Sequence, residues 1–243
     1  MSLPADILLP VGYKSFGMID SKFGYNANWD ISWSFSYALT GAEHGFCTFL
    51  STSATLSGAN PGQYLGYFES GGVLAIAFDS TGYFALSNTQ TLEGVNTSEV
   101  KPNSLIVRDS NNVVMLNESL TALDTSFILA SSTKTYKTLR FKYINSGRKL
   151  YVDYKNDSDL YTNLTTLTLT SNNIVDDTIL YPGVTFCSPV SSSATDTSTL
   201  FVTNFHVHGN INPPTYETLD FTPLSTSSVT LYTTISGISA NLV

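Results

Sequence analysis

The sequence predicts an all-β protein, a two-sheet antiparallel jelly-roll sandwich, and three observations carry that expectation. Charged residues make up only 12% of the 243 residues while hydrophobic ones make up 42%, so a sizeable core must close beneath a surface of Ser, Thr and Asn. Tyr and Phe number 14 each, and aromatic and hydroxyl side chains suit pleated strands and turns better than helices. Short apolar or alternating runs recur between Gly, Ser, Asn and Pro, without a sustained helical period. One sandwich domain of this length is ordinary.

The first clear strand is Ile31–Leu39, where Ile31, Trp33, Phe35, Tyr37 and Leu39 share one face. Gly45–Leu50, Tyr64–Phe68, Val73–Phe78 and Tyr83–Leu86 are expected as the next strands, each bounded by turn residues. Leu105–Arg108 and Val113–Leu116 flank Asp109-Ser110-Asn111-Asn112, a hairpin turn. Thr121–Phe127 has room for a helical turn. Arg140, Lys142 and Ile144 then alternate with Phe141 and Tyr143, and Asn145-Ser146-Gly147 turns the chain into Lys149–Tyr154. Leu164–Leu169, Thr185–Cys187 and Leu200–Val207 complete the set, with Ser188–Thr199 expected as a mobile loop.

Asn212-Pro213-Pro214 marks a boundary, because consecutive prolines cannot continue a strand ladder. The chain thus divides into an N-terminal segment 1–29, a sandwich 30–212 and a C-terminal segment 213–243. From Thr215 onward there is no Lys, Arg or His. That tail is expected to return to the sandwich as a strand or to dock as an arm on a neighbouring subunit.

A net charge of −8 argues against nucleic acid, whose phosphates demand clustered Lys and Arg. The period-two spacing of the basic cluster Lys134–Lys149 puts Lys137, Arg140 and Lys142 on a strand and its approach, which reads as a solvated strand face. Cys47 and Cys187 are too few for a disulfide framework and sit in apolar runs, where a buried thiol is the ordinary outcome. A disulfide between them requires their strands to be neighbours. The opening MSLPADILLPVGYKSFG holds a short apolar patch, less than the core of an export signal, and no window reaches the length of a membrane span. An extracellular-looking composition without an export signal suggests display on a particle such as a virion.

The segment Trp33–Asp79 resembles the middle of the concanavalin A-like, or L-type, lectins. That family runs from a strand of alternating aromatics to a DG-x-x-F-F-like strand, then a G-G-x-L-G turn, then a strand ending V-x-V-E-F-D-T. Here the series reads SFSYALTGAEHGFCTFL, GANPGQYLGYF and VLAIAFDSTG. TLRFKYINSGRKLYVDYKND is similar to the family's back-sheet hairpin, and YPGVTFCSPVSSSATDTSTLFVTNFHVHG to its last strands. The resemblance spans Asp30–Gly209 and implies a concanavalin A-like sandwich.

Its implications for a site follow residue by residue. The family's sugar-holding Asp falls on His44, after Glu43, and its glycine-pair backbone contact falls on Gly62–Gln63. Tyr64, Tyr67 and Phe68 follow, either stacking on a sugar face or packing into the core. The metal-binding Glu and Asp fall on Ala77 and Asp79, so only the Asp is kept. A lone Asp cannot hold a Ca²⁺ that takes about six to eight oxygens, so no metal and no cofactor is expected. The ligand-binding set is His44, Gly62, Gln63, Tyr64 and Asp79. His206 and His208, two apart on one strand face, read as exposed strand residues rather than a metal pair.

No catalytic residue is expected, because glycosidases of this shape need paired carboxylates and no E-x-D-x-x-E-like strand occurs. The expected function is a non-enzymatic, surface-displayed lectin-like module. That means a capsid or tail-fibre structural or adhesion protein of a virion, with metal-independent binding of a cell-surface glycan. Its terminal segments would dock on capsid or fibre subunits or on further copies of the chain. A carbohydrate-binding lectin unattached to any particle is the alternative, with a glycan-active hydrolase behind it.

Overall fold

In a computed structural model, the alternating segments pair into two antiparallel sheets. The structure describes residues 8–9, 14–19, 23–24, 28–40, 45–52, 65, 67, 72–86, 100–111, 113–125, 127, 136–156, 159–170, 179–187, 197–209 and 219–220. Among these the strands are β1 (Leu8–Leu9), β2 (Lys14–Ile19), β3 (Phe23–Gly24), β4 (Trp29–Thr40), β5 (Gly45–Ser51), β6 (Gly72–Asp79) and β7 (Ser104–Arg108). They continue with β8 (Val114–Ser119), β9 (Lys137–Ile144), β10 (Lys149–Asn156), β11 (Thr162–Thr168), β12 (Ile179–Cys187), β13 (Thr197–Gly209) and β14 (Leu219–Asp220). A six-stranded sheet has the order β1-β13-β4-β9-β10-β11. In the eight-stranded sheet the order is β14-β2-β12-β5-β6-β7-β8, with β3 pairing β12 beside that row.

Segment 1–29 supplies β1 to one sheet and β2 and β3 to the other. The C-terminal segment contributes β14, with Leu219 opposite Ile19 and Asp220 opposite Met18. The N-terminal stretch lacks strong alternation, which is why the sequence alone did not mark its strands; β14 is a strand on the sandwich, one of the two expectations for the tail. Residues 188–196 of the expected Ser/Thr-rich loop lie outside the described residues, while Thr197–Thr199 already belong to β13.

Side-chain alternation sets which face is buried. In β9, Leu139, Phe141 and Tyr143 are buried and alternate with half-buried Thr138, Arg140 and Lys142. Lys137 falls on the inward face and is buried, so the basic cluster does not share one solvated surface. On the outer face Arg140 donates from Nε and Nη2 to Asp153 Oδ2 at 3.0 and 2.6 Å. Its guanidinium also lies 3.9 Å from the centre of the Tyr161 ring. Arg140 is thus matched by a cross-strand carboxylate rather than presented to a polyanion.

Between the sheets an aromatic relay crosses the core. Trp33 and Phe35 of β4 meet Phe46 of β5 edge-on at 5.1 and 5.0 Å. Phe46 stacks on Phe78 of β6 at 5.2 Å, and Phe78 meets Phe127 at 5.8 Å. Phe127 in turn stands edge-on to Tyr154 of β10 at 4.7 Å, which closes the relay back onto the six-stranded sheet. Trp33 Nε1 donates to Thr48 Oγ1 at 3.1 Å, so the buried indole N–H is satisfied across the sheet gap.

Several expected elements change on folding. Tyr83–Leu86 is a short 3-10 turn at Tyr83–Ala85 rather than a strand. Of Tyr64–Phe68 only Leu65 and Tyr67 are described, and Leu65 has φ 50°, a left-handed turn conformation that cannot join a ladder. The hairpin at Asp109 forms as expected, with Asp109 Oδ1 accepting from Asn111 N and Val113 N at 2.9 Å each. A helical turn occupies Leu120–Leu123, inside the expected region.

Cys47 and Cys187 lie on neighbouring strands, but Cys47 is opposite Thr185 and Cys187 opposite Gly45. Diagonal neighbours sit roughly 7–8 Å apart, beyond the usual disulfide Cα reach of about 4.4–6.8 Å. Cys47 is a free thiol, fully buried, and burial pushes its ionisation far above the ordinary range.

Two outcomes follow. Alkylation of the native protein, read by peptide mass spectrometry, leaves Cys47 unmodified until denaturant is added; rapid native labelling would contradict its burial. Phe46→Ala, which removes the central ring of the relay, lowers unfolding stability by about 3–5 kcal/mol in urea titration. A loss under about 1 kcal/mol would show that the sheets do not meet through this ring.

Candidate ligand face

Strands β5, β6 and β7 are buried almost throughout, on both faces. Antiparallel sheets more often leave one face to solvent. One side, with Phe46, Leu50, Leu74, Ile76, Phe78, Leu105 and Val107, builds the inter-sheet core. The other carries Cys47, Phe49, Ala75, Ala77 and Ile106, and it is covered by Leu65, Tyr67, Phe84 and Ala85. The small side chains of Ala75 and Ala77 leave space for the Tyr67 and Phe84 rings, which meet at 5.9 Å. Tyr67 is therefore core, not a sugar platform.

The covering turn starts at Asp79, the last residue of β6. Asp79 is fully buried. Its Oδ1 accepts from Thr81 N at 2.8 Å and Thr81 Oγ1 at 2.6 Å, and its Oδ2 accepts from Phe84 N at 2.8 Å. Burial pushes the Asp79 carboxyl above its ordinary value, and the bonds from Thr81, Phe84 and Gly82 oppose that rise. Every one of these contacts is a donor, so the loop is shaped around the carboxyl group.

Gly82 has φ 81°, and a Cβ there would stand 2.3 Å from the Lys101 carbonyl oxygen. Only glycine permits both the left-handed turn and that close approach. Asn103 N donates to Ser80 O at 3.0 Å, which ties the turn to the entry of β7.

Arg108 was expected as the end of a strand, and its role at the covering turn was not. It ends β7 on the covered face, is 1% exposed, and donates from Nη2 to the carbonyls of Phe84 and Leu86. Its guanidinium also lies 4.8 Å from the centre of the Phe84 ring. The register that puts Arg108 in the same row as Ala75 carries the signal, because a strand closed on both faces has no solvent side for a cation.

The other expected ligand residues, His44, Gly62, Gln63 and Tyr64, lie outside the described residues. Their neighbours converge all the same. Gly45, which follows His44, sits opposite Asp79 in the β5–β6 register. A Cβ on Gly45 would lie 3.1 Å from Leu65 Cδ1 and 3.1 Å from Asp79 Cα. The residue after His44, the residue after Tyr64 and Asp79 thus meet at one end of the sheet. His206 is exposed, opposite Ser32. His208 pairs in register with Asp30, and among the described residues no group of three metal-binding side chains forms.

No protein-family model matches the chain, and no curated protein matches it in sequence. Solved structures do match in shape. Winged bean acidic lectin complexed with methyl-α-D-galactose is 13% identical, with a TM-score of 0.59 over 85% of this chain and 86% of its own. Basic winged bean lectin with Tn-antigen is 14% identical, with a TM-score of 0.58 over 85% and 87%. The exoplasmic/lumenal domain of VIP36, in a Ca²⁺/Man3GlcNAc-bound form, is 12% identical, with a TM-score of 0.53 over 86% and 79%. The fold of this chain is the concanavalin A-like jelly-roll sandwich of the legume lectins.

Proposed function

We propose that the chain is a non-enzymatic glycan-binding module whose ligand face lies where the segments around Gly45, Leu65 and Asp79 converge. The observation that carries this reading is the meeting of those three segments at one sheet end, in a fold shared with sugar-complexed lectins over 85% of the chain. His44 and Tyr64 adjoin that meeting point in sequence, and Gly62 and Gln63 lie next to Tyr64. In this reading His44 supplies a hydrogen bond to a sugar hydroxyl and Tyr64 an aromatic face for the apolar side of the ring.

Asp79 serves the face from beneath. Both its oxygens are engaged by Thr81 and Phe84, so it shapes the loop rather than touching the sugar. Capsid or fibre attachment, expected from the sequence, draws no support from these likenesses.

Titration with methyl-α-D-galactoside and Tn-antigen is expected to give dissociation constants on the order of millimolar, near −4 kcal/mol. His44→Ala should weaken binding by roughly two- to tenfold, the loss of one neutral hydrogen bond, with an unchanged melting temperature. Absence of binding to these ligands and to a broad glycan array would sink the proposal.

A further inference from the structure

The VIP36 domain is described with bound Ca²⁺, and the fold raises the question of whether a divalent ion fits here. Ca²⁺ takes about six to eight oxygens, with carboxylates and backbone carbonyls prominent among them. A carboxylate has roughly four acceptor sites. At Asp79 three of them receive Thr81 N, Thr81 Oγ1 and Phe84 N. The carbonyls of Phe84 and Leu86 are engaged as well, by the Arg108 guanidinium. Position 77, two residues before Asp79 on the same face, is a buried alanine. Ser104, opposite Asp79 on β7, adds one neutral buried hydroxyl. These residues do not fit a divalent ion.

We infer that Arg108 is an internal cation that closes the 79–86 turn, so that the ligand face of this chain assembles without a metal. Carboxyl and guanidinium act on the same turn from two sides: Asp79 takes the Phe84 N–H, and Arg108 holds the Phe84 carbonyl. Both groups are withdrawn from water. A second cation in that low-dielectric space would be repelled by the guanidinium while displacing hydrogen bonds already made. Arg108 is a positioning residue, since it acts on the face through the turn. The inference concerns how the turn is held and stands whether or not a glycan binds.

The test uses the full chain. Calorimetric titration with CaCl₂ and with MnCl₂ is expected to give no saturable heat, and melting temperatures in Ca²⁺ and in EDTA are expected to coincide. Saturable binding near one ion per chain, or a melting point raised by Ca²⁺ and lowered by EDTA, would overturn the inference. Arg108→Met keeps the length and removes the charge. Limited proteolysis within residues 80–86 should then rise about ten- to hundredfold, the loss of hydrogen bonds to a charged donor. Arg108→Lys restores the charge and should recover part of that protection. Equal cleavage in wild type and Arg108→Met, or no recovery with lysine, would also count against it. Should Arg108→Met fail to fold, the metal titration of the wild type decides alone.

Discussion

Burial of β5, β6 and β7 on both faces is the constraint on which the rest of the structure depends. One face is closed by the six-stranded sheet; the other must be closed by the chain itself. Leu65, Tyr67, Phe84 and Ala85 do this, and the backbone polar groups of the 79–86 turn then need partners away from water. Asp79 takes the N–H groups of Thr81 and Phe84, and Arg108 holds the carbonyls of Phe84 and Leu86, both from within the sheet. A buried carboxylate and a buried guanidinium are costly unless fully bonded, which ties each to the turn that satisfies it. The same turn forms one wall of the proposed ligand face, so the contacts that close the sheet also shape the face proposed to bind a glycan.

The inter-sheet core works by a different rule. There the partners are rings at 4.7–5.8 Å, mostly edge-on or tilted, and the polar handles are few. Trp33 finds Thr48, and Tyr154 Oη donates to Asp124 Oδ2 at 2.8 Å. A core so rich in aromatics fixes the sheet spacing with few residues, which suits a chain whose surface is mostly hydroxyl and amide.

The fold was legible where the pleat writes a period-two pattern, as in β4 and β9, and where apolar runs end in turn residues, as in β5, β6 and β7. It was not legible in β1, β2 and β3, which are short or gain their place by pairing with β12 or β13 rather than by local pattern. Tyr83–Leu86 has the composition of a strand but lies across one. The left-handed Gly82, one residue earlier, was the cue that the ladder had ended. At the site, Asp79 was legible as a conspicuous residue, while its duty was not. Thr81 two residues on, a side-chain-to-backbone turn partner, pointed to it. Arg108 was hidden because an arginine closing the run LIVR reads as a surface residue until both faces of its strand are known to be covered.

Native-state hydrogen exchange of the backbone amides in the 79–86 turn tests the central claim most directly. If Asp79 and Arg108 lock the turn onto the sheet, the amides of Thr81, Phe84 and Leu86 exchange as slowly as those of β6, in metal-free buffer. If they exchange as fast as the exposed turn at Ser146–Gly147, the sheet face is not closed by this turn and the account fails.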